Sequence, residues 1–405
     1  MPFNQQHRWK VLAAGVAANV SFSSVVGGVP ATAVYLRSSY HLSNSELGLA
    51  LGILGLGIAV SEIPWGLLTD RWGDRPVLLT GLLSAALALL LLAGLSGDAP
   101  TALGLCLGLF ATGFLGSSVN GASGRAIMLW FQAHERGLAM SIRQTAVPTG
   151  YALGAVLLPW LAQHFGFRVV FTSAAALCLL CSGLVWRWIH EPANTAMKPA
   201  QQRESPLRDL NVWRTALAIS LLCAPQFTLL TYATVFFHDG VGLSVTTASL
   251  ILALIQAGAI VGRLWSGHWT DRRNNRRAYL KGCAVFSAGA FWALCIATCV
   301  LPIPSTVASV ALTFALILAG TLVSIWHGVA YAELGTLAGA RRSGTAIAMG
   351  NCGAFLGLFL TPIAASTIVS HWGWGALWVV CAVCALAAAA LFTPDVQPST
   401  QAATP

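Results

Sequence analysis

Apolar runs of about twenty residues or more recur along the whole chain, separated by short polar segments that carry most of its charge. A helix needs about 20 mostly apolar residues to cross the hydrocarbon layer of a bilayer. Measured against that length, the pattern predicts twelve spans, near 11–34, 46–68, 77–97, 101–129, 138–162, 168–189, 213–237, 245–268, 278–301, 305–331, 344–369 and 374–393. The first run is too long for a signal-peptide core and reads as a membrane helix. Connections are short except for a polar stretch over 190–212, which divides the spans six and six. The expected plan is an all-α membrane protein: an N-terminal six-helix bundle over 1–189, a linker over 190–212, a C-terminal bundle over 213–393 and a disordered tail over 394–405.

Composition narrows the class. Of 405 residues, 56% are hydrophobic and 9% charged, and the mean hydropathy is +0.72. A soluble domain carries roughly 25% charged residues, so water-soluble enzymes and disordered chains are excluded. The formal net charge of +9 raises nucleic acid as a partner, and the placement of the charges answers it. Arg37 and Arg168 are the only basic residues in one set of loops, and Arg125, Arg143 and Arg263 fall inside spans. The others flank the opposite loops, the N-terminal segment and the linker. Positive charge marks the cytoplasmic face. Both termini are therefore expected in the cytoplasm, with the chain in the inner membrane as a monomer, and nucleic acid is not an expected partner. All ten cysteines lie in apolar runs, where a thiol behaves as a small hydrophobe. No metal site and no cofactor is expected. Neither a Gly-x-x-x-x-Gly-Lys-Ser/Thr loop nor His-Glu-x-x-His occurs, so ATP drive, zinc hydrolysis and enzyme activity in general are not expected.

The two halves repeat one another. Gly66-Leu67-Leu68-Thr69-Asp70-Arg71-Trp72-Gly73-Asp74-Arg75-Pro76 follows the second span, and Gly267-His268-Trp269-Thr270-Asp271-Arg272-Arg273-Asn274-Asn275-Arg276-Arg277 follows the eighth. One common shift superposes Gly66 on Gly267, Asp70 on Asp271, Arg71 on Arg272 and Arg75 on Arg276. A second echo pairs His164-Phe165-Gly166-Phe167 with His371-Trp372-Gly373-Trp374, and Gly137, Ala139 and Gly150 with Gly344, Ala346 and Gly357. Gly66 removes a side chain where helices approach closely. Asp70, at the end of its helix, can meet the positive N-terminus of a neighbour.

This duplicated six-plus-six plan, with Gly-x-x-x-Asp-Arg-x-Gly-x-Arg-Pro after helix two, resembles the major facilitator superfamily. The resemblance implies two bundles rocking around a site at the midplane, with Gly66, Asp70, Arg71 and Arg75 latching one state. Asp271 and Arg272 would do the same in the second copy, which departs from the pattern at Asn274 and Asn275.

Each ionisable residue inside a span needs a reason, since insertion costs roughly 2.5–3.5 kcal/mol. Glu62 lies eight residues before Asp70, and Arg263 eight before Asp271, about 12 Å deep in either half. The spacings 62–66–70 and 263–267–271 keep each on the stripe that faces protein. Two readings stay open. One is a structural ion pair between the bundles. In the other, Arg263 clamps an anionic substrate, its fork suiting a carboxylate, while Glu62 takes up and releases a proton. Arg143, about 10 Å into the bilayer, either helps grip the anion or pairs with Glu62. Asn19, Asn120, Tyr151, Gln226, Tyr232, Gln256, His327 and Asn351 are further polar positions within spans. Of these Tyr151, Gln226 and Asn351 are candidate substrate contacts and His327 a candidate proton relay.

Val261-Gly262-Arg263-Leu264-Trp265-Ser266-Gly267 is similar to the eighth-helix segment of monocarboxylate transporters and oxalate–formate exchangers, in which the arginine contacts the substrate carboxylate. The segment from Arg125 to Ala139 resembles bacterial organic-anion carriers. Val11–Val34 holds no acid and no lysine, so the coupling lysine of the monocarboxylate group is missing and Glu62 takes its place as candidate. These resemblances imply a secondary active transporter for a small organic anion, moved with protons. The alternatives are a drug/proton antiporter and, in another class, a transporter-like ligand sensor.

Overall fold

The structure, a computed structural model, describes residues 6–97, 101–190, 205–301 and 305–392. The expected tail over 394–405 and most of the linker, 191–204, lie outside the described residues. The first half comprises α1 (His7–Ala31), α2 (Ala33–Ser39), α3 (Asn44–Trp72), α4 (Asp74–Leu95), α5 (Ala102–Gly116), α6 (Ser118–Trp130), α7 (Arg136–Gln144) and α8 (Ala146–Trp188). The second comprises α9 (Leu210–Val235), α10 (Val245–Arg273), α11 (Arg276–Val300), α12 (Thr306–Leu322), α13 (His327–Ala338) and α14 (Ser343–Leu391).

Among the described residues ten helical stretches are long and apolar enough to cross a membrane. Two of them, Arg136–Trp188 and Ala340–Leu391, run to 53 and 52 residues. At 1.5 Å per residue either would reach about 80 Å, far beyond the roughly 30 Å of hydrocarbon. Each breaks at one glycine, Gly166 (φ 75°, ψ 178°) and Gly373 (φ 78°, ψ −179°), a conformation open only to a residue without Cβ. Eight ordinary spans and two double-length ones make twelve crossings. The His-x-Gly echo in the sequence is thus a pair of identical corners.

Local signals place the helix ends. Ser43 opens α3 with a capping box: Glu46 N donates to its hydroxyl and Ser43 N to Glu46 Oε2. At the repeat-related position Ser244 caps α10, its hydroxyl accepting from Thr247 N. α3 and α10 run on through the Asp-Arg motif, to Trp72 and Arg273, so what reads as a loop is the last helical turn. The chain leaves α3 at Gly73 (φ 92°) and α10 at Asn274 (φ 49°). Asparagine is the residue other than glycine that most readily takes a positive φ, so this departure from the first copy keeps the turn. Two expected spans are interrupted: 101–129 at Ser117, between α5 and α6, and 305–331 at 323–326, between α12 and α13.

One apolar core is built from residues between Val11 and Ile189, with α1 packed along α8. Here Gly28 and Gly154 let backbones touch, since a Cβ on Gly28 would stand 2.8 Å from Gly154 Cα. A second core lies within α9–α14, and a third joins α6, α7, α9, α13 and α14 across the halves at the basic-loop end.

Candidate functional site

A cavity of about 90 Å³ lies between the halves. It is lined by Asn120 of α6, Arg143 and Gln144 of α7, Tyr151 of α8, Gln226 and Phe227 of α9, Gln256 and Arg263 of α10, His327 and Tyr331 of α13, and Asn351 and Phe355 of α14. Arg143, Tyr151, Gln226, Arg263, His327 and Asn351, scattered over more than 200 residues of sequence, therefore share one wall.

Broken helices hold the two arginines. Pro148 has no N–H, so the carbonyl of Gln144 four residues earlier loses its helical donor, and Arg263 Nη1 donates to it at 2.9 Å. The interruption after α12 frees Ser324 O, which accepts from Arg263 Nε at 2.8 Å. Arg263 Nη2 lies 3.4 Å from His327 Nδ1, itself 3.2 Å from Ser324 O. Arg143 donates from Nε to Ser123 Oγ at 3.1 Å and from Nη2 to the Asn120 carbonyl at 2.6 Å. Both guanidinium groups are buried, 1% exposed at Arg143 and 5% at Arg263, and all of these partners are neutral. Among the described residues neither arginine forms an ion pair with a carboxylate.

Glu62 stands one layer behind the cavity, 1% exposed. It accepts from Asn120 Nδ2 at 2.6 Å and from Asn351 Nδ2 at 3.3 Å, the second across the halves. The structural reading of an ion pair between Glu62 and Arg143 or Arg263 is therefore corrected. Asn120 stands between the charges, giving its amide to Glu62 and its carbonyl to Arg143. His327 stacks on Trp326 at 3.9 Å and contacts Arg263, not an acid. Tyr232 donates to Pro362 O and Asn19 to Asn120, and neither is among the residues that line the cavity. Sequence reasoning passed over Tyr331, although four residues after His327 it shares that face of α13.

At the basic-loop end the halves meet through two matching contacts. Asp70 accepts from Gly344 N at 3.0 Å, Thr345 N at 2.9 Å and Thr345 Oγ1 at 2.5 Å, at the start of α14. Asp271 accepts from Gly137 N at 2.9 Å and Leu138 N at 2.8 Å, at the start of α7. The glycines make room: a Cβ on Gly66 would lie 2.6 Å from Ala348 Cβ, and one on Gly267 2.6 Å from Gly137 O. The arginines of the motif act otherwise than expected. Arg71 and Arg272 are exposed and unpaired among the described residues. Arg75 donates to Trp186 O and lies 4.2 Å over its ring, inside its own half. The cross-half cations are Arg125, bound to Asp74 (2.8 Å), near Asp70 (3.4 Å) and donating to Arg341 O, and Arg276, bound to Asp271 and Ala133 O (2.7 Å each).

Twelve crossings in two matching sets, closed at one end around a buried polar cavity, define a multi-pass membrane protein of the transporter type. The chain belongs to the major facilitator superfamily, whose family model matches residues 13–340. An uncharacterized MFS-type transporter of Mycobacterium tuberculosis is 29% identical over 290 residues, which cover 71% of this chain and 64% of that protein. The match thus spans less than two thirds of that relative's length. The membrane sensor protein UhpC of Salmonella typhimurium is 23% identical, with 90% of this chain and 86% of that protein covered. The gallate transporter of Pseudomonas putida is 27% identical over 296 residues, 63% of this chain and 65% of that protein. Among solved structures, the proton:xylose symporter XylE bound to 6-bromo-6-deoxy-D-glucose matches with a TM-score of 0.76 at 16% identity, over 96% of this chain and 95% of that one. That likeness shows the shared fold.

Proposed function

We propose that this chain carries a small organic anion across the inner membrane by alternating access, together with protons. The observation that carries the reading is the pair of buried arginines on one cavity wall, each hydrogen-bonded only to neutral groups. Burying a cation without a counter-ion costs several kcal/mol, and an incoming carboxylate supplies the missing charge. Arg263 is the main clamp and Arg143 its assistant. Tyr151, Gln226 and Asn351 contact the rest of the ligand. The cavity of about 90 Å³ lies beside both arginines, where a carboxylate can reach them. Glu62, bonded to two cavity asparagines, is the coupling acid. Asp70 and Asp271, with Gly66 and Gly267, close the end that carries the basic loops, which we place in the cytoplasm. A gallate transporter among the relatives is in keeping with a carboxylate ligand.

Uptake by purified protein in liposomes tests this, with labelled acetate, lactate, succinate and gallate set against a cationic dye, with and without an inward proton gradient. Gradient-driven carboxylate accumulation that disappears in Glu62→Gln is the expected result. Dye movement with carboxylates ignored would make the protein a drug/proton antiporter. The similarity to a membrane sensor over most of the chain favours one further reading. Carboxylate binding without flux, with coprecipitation of a signalling kinase, would establish that sensor instead.

A further inference from the structure

We infer that the proton acts on the anion site by reversing the Asn351 side-chain amide, which presents its carbonyl to the cavity when Glu62 is ionised and its N–H groups when Glu62 is protonated. The inference rests on the anion-carrier reading and adds how proton and anion are linked. Glu62 touches no cavity ligand itself, since both of its oxygens are taken by amide nitrogens, Asn120 Nδ2 on Oε1 and Asn351 Nδ2 on Oε2. A carboxylate can accept both bonds, because it is an acceptor only. With its nitrogen turned to Glu62, Asn351 has an Oδ1 that no described group donates to, in a side chain that lines the cavity beside Arg143 and Arg263. An acceptor at that place opposes a second acceptor, so it weakens the hold of the two arginines on a carboxylate.

A proton on Glu62 Oε2 changes the pairing. The new O–H faces the N–H of Asn351, donor against donor, while Oε1 goes on accepting from Asn120. Turning the Asn351 amide by about 180° removes the conflict: Oδ1 accepts the Oε2–H, and Nδ2 swings into the cavity as a donor for the anion. Asn120 has no such freedom, because Asn19 Nδ2 donates to its Oδ1 at 3.3 Å. The other titratable groups around Glu62 are Arg143 from α7, Tyr331 from α13 and Cys352 from α14. The α5 thiol, Cys106, instead faces Glu46. None of them bonds Asn351 in its place. One proton taken up makes one anion bind more tightly, and by reciprocity the bound anion holds the proton.

The test is the pH dependence of binding by purified protein, measured calorimetrically with acetate, lactate, succinate and gallate between about pH 5.5 and 8. In the unaltered protein the Kd of the tightest-binding acid falls as pH falls, approaching about tenfold per unit for one linked proton. In Glu62→Gln the carboxamide N–H2 does the work of the carboxyl O–H, so binding is tight and indifferent to pH. In Asn351→Leu, which has no amide to reverse, the slope is lost and the affinity stays low. A slope that survives in Asn351→Leu, or weak binding by folded Glu62→Gln, overturns the amide reversal. Carboxylates that bind the unaltered protein with no slope overturn it too, and leave the anion reading standing. If none of the four acids binds while the cationic dye does, the anion reading falls and this inference with it.

Discussion

The two carboxylate contacts at the basic-loop end give the most direct test of how the molecule closes. Asp70→Asn keeps the shape but removes the charge and turns an N–H2 group toward backbone donors that the carboxylate had accepted, Gly344 N and Thr345 N. The lost attraction to a helix N-terminus is worth about 0.3–2 kcal/mol. A charged hydrogen bond lost with its donor left unsatisfied adds about 1.5–3 kcal/mol. Together these set the closed form back by roughly 2–5 kcal/mol, or about 30- to 5,000-fold in the closed-to-open ratio. Asp271→Asn acts on Gly137 N and Leu138 N, which Asp70 does not touch, so the two effects add. The assay is double electron–electron resonance between spin labels on Arg71→Cys and Arg272→Cys, exposed positions, with the native cysteines replaced. The parent shows one short distance, each single variant gains a longer component, and the double variant is dominated by it. Arg75→Gln leaves the distribution alone, because Arg75 binds Trp186 within its own half. A double variant with the parent's distribution would refute the idea that these carboxylates hold the end shut.

Three further outcomes follow from particular contacts. Arg263→Lys replaces a fork spanning Ser324 O and Gln144 O by one ammonium; carboxylate affinity drops by about tenfold or more while protein remains in the membrane, and unchanged binding would remove Arg263 as the clamp. Arg125→Met removes the 2.8 Å ion pair with Asp74, 2% exposed, and breaking a buried pair at one partner costs about 3–5 kcal/mol, which a thermal melt of the purified protein detects. Gly154→Leu forces apart α1 and α8, where an added Cβ already lies 2.9 Å from Gly28 Cα, and lowers stability by about 1–3 kcal/mol or more. Gly183→Leu, with nothing within 4 Å, leaves the melt where it was.

Span number and the duplicated plan are legible in the sequence because both rest on local quantities: run length, the placement of arginines, and two echoes at constant shifts. The depth of Glu62 and Arg263 is legible for the same reason, since helical rise converts eight residues into a distance. What escapes is the identity of partners across the halves. Asp70 meets residues 274 and 275 positions away, and no periodicity names them. Ion-pair reasoning offers Glu62 either Arg263 or Arg143, whereas the fold inserts Asn120 between Glu62 and Arg143 and satisfies each charge with neutral groups. The motif arginines mislead in the same way. Their charge reads as a gate from sequence, yet Arg71 and Arg272 are exposed and Arg75 stays within its own half, while Arg276, the counterpart of Arg75, reaches across, as does Arg125 from within a span. The carbonyl freed by Pro148 was within reach of sequence, but Arg263 as its taker, 119 residues on, was not.

The closing contacts also have a symmetry. Asp70 of the first half grips the second and third residues of α14, and Asp271 of the second half grips the second and third residues of α7. Gly66 against Gly344 and Gly267 against Gly137 repeat the exchange. Each half offers the same carboxylate and the same pair of amides, and receives them back from the other. Such a surface is isologous, the kind by which identical subunits form closed pairs. Two separate copies of a six-span chain would meet through it with each carboxylate on its pair of backbone amides. The closed end of this single polypeptide has the pseudo-two-fold plan of a homodimer interface, with both halves carried on one chain.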